Sequence, residues 1–447
     1  MAKEIKRILI ANRGEIALRA IRTIKEMGKE AVVVYSKGDK DAAYLNFADA
    51  AVCIGGVKSS ESYLNIPAVI SAAEITNCDA IFPGYGFLSE NQSFVEICNH
   101  HGIKFIGPSV ELMELMADKS QAKQVMAKAG VPTIPGSDGP VENAEVAKKI
   151  AKEIGYPVIL KAAAGGGGRG MRIVEDESYI ENAFLACEGE AVSAFGDGTL
   201  YMEKFIEAPR HVEVQILGDS HGNAIHIGER DCSMQRRHQK LIEESPANIL
   251  DEKRRKELHD AAIRATKFLK YEGAGTFEFL VDKDNNFYFM EMNTRLQVEH
   301  CVSEMVSGID IIKLMIEIAE GKELPKQEEI NLKGHAIECR ITAEDPINFL
   351  PSPGKIQKWI APGGKDVRLD THAYCNYIIP PHYDSMIGKL IVWGEDRNAA
   401  IAKMRRALDE FEVAGVKTTI DFHRKMMRNK DFIENNFDTK YLENYKG

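Results

Sequence analysis

Two carboxylates on neighbouring β-prone stretches, Glu278 in TFEFLV and Glu291 in NFYFMEMN, carry the most readily named chemistry in the chain, with Asn293 two places beyond the second. Period-two alternation sets Glu291 and Asn293 on one strand face with Phe287 and Phe289, and it sets Glu278 between Phe277 and Phe279. A carboxylate on so apolar a strand is costly unless it is paired or bound to a cation. Two carboxylates and an amide make an all-oxygen set suited to Mg2+ or Mn2+; structural ion-pair acceptors are the other reading. Directly afterwards, MNTRLQVEH adds Arg295, Gln297 and Glu299. Here a cation able to hold an anionic substrate stands beside a carboxylate able to take a proton, the alternative being a polar loop or helix start. The run ERDCSMQRRHQK, Glu229 to Lys240, reads as a basic loop. Its Gln235, Arg236, Arg237, His238, Gln239 and Lys240 suit a phosphate or carboxylate, or else form a solvated face.

A second feature is KAAAGGGGRGMRIV, Lys161 to Val174, with short β-prone runs on either side of four glycines. A flexible linker would have polar, Ser-rich flanks, and a Rossmann or P-loop turn would pass into a helix, whereas this chain returns as a strand. A mobile hairpin lid is the functional reading: without Cβ atoms its N–H groups approach phosphate oxygens closely, and Lys161 and Arg169 bracket it with positive charge. A structural β-turn is the plain one. No GxxxxGK[ST] occurs, because the Gly-Lys pairs at 28, 321, 354, 364 and 388 are followed by Glu, Glu, Ile, Asp and Leu. ATP would therefore need lysines from separate strands, a glycine lid and carboxylates on a sheet. Glu203 and Lys204 in YMEKF could offer a strand edge to a nucleotide base, although this pair by itself carries no information.

These groups need a scaffold, and the chain spells one out. From Arg7 to about Pro108 β and α patterns alternate (RILIA, a helix through Ile16, Ala20, Ile24 and Met27 closed by Gly28, AVVVYS, DAIFPG, KFIG), as in a parallel doubly wound unit. Its first turn, ANRGE, lacks GxGxxG, so dinucleotide binding is weakly supported. A turn-rich segment, VPTIPGSDGPVEN, precedes a unit small enough to be a hinged lid, and from about His211 the chain is a strand-rich α+β body. The expected class is α/β and α+β multidomain, with segments 1–116, 117–205 and 206–447. At 447 residues roughly three packed units are the prior. The net charge of −10 disfavours nucleic acid as a partner. No apolar run approaches the roughly 18 residues of a membrane span, and MAKEIKRILIANRGE reads as a first strand and not a signal peptide. Eight cysteines without a CxxC pair read as free thiols of a reducing cytoplasm.

The combination resembles the ATP-grasp superfamily and, within it, the biotin carboxylase family. The resemblance rests on IANRGEIA, SYLNIPA, FPGYGFLSEN, the DK pair at 118 and 119, KAxxGGGGRGM, YMEK, RHVEVQ, ERDCSMQRRHQK, GAGTFEFL, EMNTRLQVEH, ECRI with AED, FLPSPG and YDSMIGKL, which span nearly the whole chain. It implies an ATP-grasp fold with an N-terminal Rossmann-like domain, a mobile lid domain and a C-terminal α+β domain. By position it implies that Lys119, Lys161 and the loop Gly165, Gly166, Gly167 and Gly168 hold ATP phosphates, with Glu203, Lys204, His211, Gln235 and His238 around the nucleotide. Glu278 and Glu291, helped by Asn293, would take two Mg2+ or Mn2+ ions. Lys240, Arg295, Gln297 and Val298 would surround bicarbonate, Glu299 would be the base, Arg340 would stabilise the biotin enolate, and Tyr85 would lie near the biotin ring.

The implied activity is ATP-dependent carboxylation of biotin through carboxyphosphate. A different ATP-grasp ligase is one rival, opposed by the RHQK block and Arg340; a nucleotide-binding regulatory subunit is another, opposed by the presence of the metal carboxylates and Glu299. No AMKM-like attachment motif occurs, so biotin is expected on a separate biotin carboxyl carrier protein working with carboxyltransferase subunits. An acetyl-CoA carboxylase of fatty acid synthesis is the expected parent, with pyruvate and propionyl-CoA carboxylases as alternatives. A homodimer is the family expectation, and with the charge, hydropathy and cysteine pattern above it gives a cytoplasmic dimer without nucleic acid or membrane partners as the expected state. Ala163 and Ala164 stand where relatives often have Ser and Gly, and Cys301 stands where Pro is common.

Overall fold

The computed structural model describes residues 4–162 and 170–445. The glycine loop, Gly165 to Gly168 with Ala163, Ala164 and Arg169, lies outside the described residues. By packing, the chain divides into two units and not at residues 116 and 205. One comprises Met1–Val131, Arg210–Phe279 and Glu291–Gly447; the other comprises Pro132–Pro209 with Leu280–Met290. The helices Val110–Ala117 and Lys119–Lys128 pack in sequence on Gln92–His100, which keeps the chain in the first unit as far as Val131.

The first unit opens with the parallel sheet expected from the alternation. Strands β1 (Arg7–Ile10), β2 (Glu30–Tyr35), β3 (Ala50–Cys53), β4 (Ala80–Phe82) and β5 (Lys104–Phe105) lie in the order 3-2-1-4-5. Ile8, Leu9 and Ile10 are fully buried, as befits a parallel strand covered on both faces. The order reverses between β1 and β4, the point at which doubly wound sheets open a crevice beyond the strand ends. Two turns meet there. The Asn12 amide donates to the carbonyls of Pro83 and Tyr85, 2.8 Å each, tying the turn before helix α1 (Gly14–Glu26) to PGYGF. Gly84, with φ +64, lies so close that a Cβ would stand 3.0 Å from that amide, so only glycine fits.

In the second unit β6 (Val158–Ala162) pairs antiparallel with β7 (Met171–Val174), Lys161 facing Met171, and β8 (Leu200–Lys204) takes the other edge. The strands on either side of residues 163–169 are therefore antiparallel neighbours. Helices Ala144–Ile154 and Ile180–Phe195 cover one face with a core of Ala147, Ala151, Val158, Leu160, Phe184, Cys187 and Met202.

An eight-stranded sheet carries most of the chemistry. It is built from β9 (Arg210–Gly218), β10 (Ala224–Arg236), β11 (Gln239–Ser245), β12 (Gly273–Val281), β13 (Phe287–Asn293), β14 (His335–Thr342), β17 (Val367–Thr371) and β19 (Met386–Gly394), in the order 13-12-9-10-11-14-19-17. Two small ribbons pair β15 (Gly354–Lys355) with β18 (Ile378–Ile379), and β16 (Lys358–Ile360) with β20 (Glu412–Ala414). The run read as a basic loop is in fact strand, turn and strand. Arg236 pairs with Gln239, and only Arg237 and His238, with φ of 49° and 64°, form the turn. Two left-handed central residues match the twist of a two-residue hairpin. The strand escaped a reading by hydrophobicity because its buried residues are charged and satisfied internally: Asp231 by Arg210 at 2.6 Å, Arg230 by Glu213 at 2.6 Å, Glu229 by Arg255 at 2.7 Å.

All eight cysteines are unpaired. Among the described residues no helix is long and apolar enough to cross a membrane.

Candidate active site

Lys240 sits near the start of β11, and its ammonium reaches three carboxylates: Glu299 Oε1 at 2.6 Å, Glu213 Oε2 at 2.6 Å and Glu278 Oε1 at 3.0 Å. The carboxylates come from β9, β12 and the N-terminal end of the helix His300–Ser307, where Glu299 is the capping residue. Arg340 on β14 donates from Nη2 to the other Glu299 oxygen at 2.9 Å, and from Nε to Glu243 Oε1 at 2.6 Å. Glu299 is thus gripped at both oxygens while 1% exposed.

Burial opposes a charged Glu299, but Lys240, then Arg340 and Arg230, outweigh it and hold its carboxyl well below the ordinary carboxylate range. Burial, reinforced by Glu299, lifts Glu213. Burial works against the Lys240 ammonium, yet Glu213 and Glu299 raise it well above its usual value. Glu299 is therefore ionised at neutral pH. A carboxylate held between two cations is a weak proton acceptor, and loss of either cation would strengthen it.

A polar chain extends from Glu278. Its Oε1 accepts from Asn293 Nδ2 at 2.9 Å and Gln297 Nε2 at 3.0 Å. Arg295 donates to Asn293 Oδ1 at 3.0 Å, Gln297 Oε1 at 2.8 Å and Glu90 Oε2 at 2.8 Å. His211 Nε2 stands 2.9 Å from Glu278 Oε2 without hydrogen-bond alignment. Against burial, His211 and Lys240 hold Glu278 below its ordinary value. Glu291 lies one alternation before Asn293 and pairs with Lys119 at 3.0 Å. Glu278 and Asn293 are joined directly, while Glu291 contacts Lys119; carboxylate and amide oxygens are the hard donors that Mg2+ would need.

Arg340, Lys240 and Val298 also border an open cavity of about 490 Å³, which Tyr85 and the Asn12–Ile16 turn line as well. The Tyr85 hydroxyl bonds Glu15. Lys389, fully buried on β19, stands 3.3 Å from that carboxylate.

Of the residues singled out from sequence, Lys240, Arg295, Gln297, Glu299, Arg340, Glu278, Asn293 and His211 are brought together. Lys119 and Glu291 form their own pair, and Tyr85 and Val298 line the cavity. Lys161 pairs with Glu203 at 2.6 Å in the second unit, where the Lys204 ammonium donates to the carbonyls of Gly155 and Tyr156. Gln235 is buried in β10 as the cross-strand partner of Lys240, whereas His238 is exposed at the hairpin tip. Sequence reasoning missed Glu213, Arg230, Glu243, Glu90 and Lys389. Glu213 was within reach, since it alternates with Val212 and Val214 in a buried strand as Glu278 does between phenylalanines.

Family models described as "Biotin carboxylase, N-terminal domain" and "Biotin carboxylase C-terminal domain" match residues 4–113 and 338–444. "Carbamoyl-phosphate synthase L chain, ATP binding domain" matches 118–327 between them. The chain is 55% identical to the biotin carboxylase of Nostoc sp., covering 98% of each. Among solved structures it resembles the biotin carboxylase–β,γ-ATP complex from Campylobacter jejuni (71% identity, TM-score 0.91, 99% of each chain). It also resembles the biotin carboxylase domain dimer of Hydrogenobacter thermophilus 2-oxoglutarate carboxylase, solved with MgADP, ADP and bicarbonate (49% identity, TM-score 0.88, 99% of this chain and 98% of that one). Fold and matches together define an ATP-grasp enzyme, an ATP-dependent ligase. The chain belongs to the biotin carboxylase family.

Proposed function

We propose that this chain carboxylates biotin with bicarbonate at the expense of ATP, through carboxyphosphate. The observation that carries the reading is the double grip on Glu299 by Lys240 and Arg340 beside Arg295 and the cavity. Bicarbonate is too unreactive to acylate a ureido nitrogen and needs activation. Arg295 and Lys240 hold the anion, Glu299 takes its proton, and its oxygen attacks the γ-phosphate of ATP, releasing ADP. Mg2+ or Mn2+, held by Glu278, Glu291 and Asn293, supplies charge neutralisation at the phosphates when bound. Lys119 and Lys161 are assigned to the phosphates; Glu203, Lys204, His211, Gln235 and His238 to the nucleotide; Gln297 and Val298 to bicarbonate. Carboxyphosphate breaks down to CO2 and phosphate, and the phosphate removes the biotin N–H proton. Arg340 stabilises the resulting ureido oxyanion, with Tyr85 beside the ring.

Biotin is expected on a carrier protein supplied by another chain and served by carboxyltransferase subunits in the cytoplasm. An acetyl-CoA carboxylase of fatty acid synthesis is the first choice of parent, ahead of pyruvate or propionyl-CoA carboxylases. A homodimer is expected by analogy with the Hydrogenobacter thermophilus domain dimer. The test is ADP release with and without bicarbonate and free biotin. Release should require bicarbonate and rise with biotin as carboxybiotin forms; release driven by another acid and indifferent to bicarbonate would overturn the reading.

A further inference from the structure

Beneath Arg340 the sheet buries two acids that the proposed mechanism does not use. Glu243 on β11 and Glu338 on β14 are direct cross-strand partners, so their side chains leave the same face about 5 Å apart at Cβ. Both residues are 0% exposed. Glu243 Oε1 accepts from Nε of Arg340 at 2.6 Å and lies 2.5 Å from its Nη2, while among the described residues its Oε2 has no hydrogen-bond partner. Neither oxygen of Glu338 has one. An isolated ionised carboxylate in that setting is prohibitively costly, so Glu338 holds its proton. Glu243 is then the acid of the two that can carry charge beneath the guanidinium, as Glu299 is the anion at its side. Together they occupy Nε and Nη2, leaving Nη1 without a partner among the described residues on a side chain that lines the cavity.

We propose that Glu243 is a positioning residue for the carboxylation step: it fixes the plane of Arg340 so that the unpaired Nη1 meets the biotin oxyanion. This rests on the biotin role given to Arg340 above. Without Glu243, Arg340 would swing fully onto Glu299, leaving the oxyanion unmet. The groups facing Glu243 are Lys240 of its own strand, Glu338, Cys339 and Arg340 of β14, Glu299, and Cys232 of β10; Lys389 of β19 faces Glu338. Burial, only partly offset by Arg340, lifts Glu243 to about 7. Its charge, and with it the strength of the clamp, therefore grows as pH rises through neutrality.

The experiment compares carboxybiotin formed per ATP cleaved, from pH 6 to 9, in the full chain and in Glu243→Gln, Glu243→Asp and Glu338→Gln. In the unaltered protein this ratio should climb severalfold between pH 6 and 8. Glu243→Gln should lower it at least tenfold and flatten its pH dependence, with ATP cleavage retained. Glu243→Asp should recover part of the ratio, and Glu338→Gln, an isostere of the neutral acid, should stay within about twofold of the parent. A normal ratio and profile in Glu243→Gln would overturn the proposal. Should that variant fail to fold, a flat ratio in the unaltered protein would do the same. Arg340→Ala, run alongside, separates the two readings: a normal ratio there removes the biotin role of Arg340 and this proposal with it. A low ratio in Arg340→Ala beside a normal one in Glu243→Gln removes the positioning alone.

Discussion

Lys389, with no exposed surface, donates its ammonium to the carbonyl oxygen of Val298 at 2.7 Å. A buried ammonium thereby steers the backbone of the segment that carries Arg295, Gln297 and Glu299, and it also stands beside the buried carboxylate of Glu15. Removing one member of such a pair strands the other charge. Lys389→Met should cost about 3–5 kcal/mol of stability, read as a lower urea midpoint. An unchanged midpoint would show that Glu15 and Val298 do not depend on it.

Glu299 is assigned to the step before carboxyphosphate exists, and Arg340 to the step after it. Glu299→Gln should lose bicarbonate-dependent ATP cleavage and carboxylation together while still binding nucleotide. Arg340→Ala should keep a substantial share of ATP cleavage but lose carboxylation by roughly 100-fold to 1000-fold, about 2.7–4 kcal/mol for an oxyanion donor. Equal loss of both reactions in Arg340→Ala would move Arg340 to bicarbonate.

Acid should unfold the first unit through its buried carboxylates. Burial opposes ionisation of Glu229, but His259 and then Arg255 hold it at about 2, against 4.5 in the unfolded chain. The folded form binds that proton less readily, so the stabilisation is present above pH 4.5 and is lost as pH falls from there towards 2. A shift of this size is worth about 3 kcal/mol. Glu244, held at about 2 by His335 and Arg397 against burial, adds to it. Melting temperatures recorded from pH 7 down to 3 should fall steeply only below about 4.5, and Glu229→Gln should flatten that fall.

Lys161 and Glu203 make a half-exposed pair, 38% and 21% by side chain, so neither charge is essential to folding. Lys161→Met should leave the melting temperature within a degree or two and raise the KM for ATP at least tenfold. A large drop in stability with normal KM would mark the pair as structural.

Glu278 was legible because it interrupts an apolar pattern at the strand period, and Arg295 and Glu299 because a cation and a carboxylate stand close together just beyond the next strand. Lys240 was legible only as part of a basic run. The stretch Gly228–Arg236 was not recognisable as strand, because a buried Arg230 against Glu213 looks the same in sequence as a solvated pair. Glu243 and Lys389 stayed hidden for a related reason. Their partners, Arg340 and Val298, are about 90 residues or more away in the chain, and only the register of β11, β14 and β19 brings them together.

Lys240 and Glu243 lie on β11 and Arg340 on β14, adjacent strands in the interior of the eight-stranded sheet, so the spacing of these groups is set by the backbone ladder. Such amides exchange with solvent only when the whole unit opens. Heat should consequently silence the chemistry and melt the sheet in one event, and deuterium should reach residues 240–243 and 338–341 last of all.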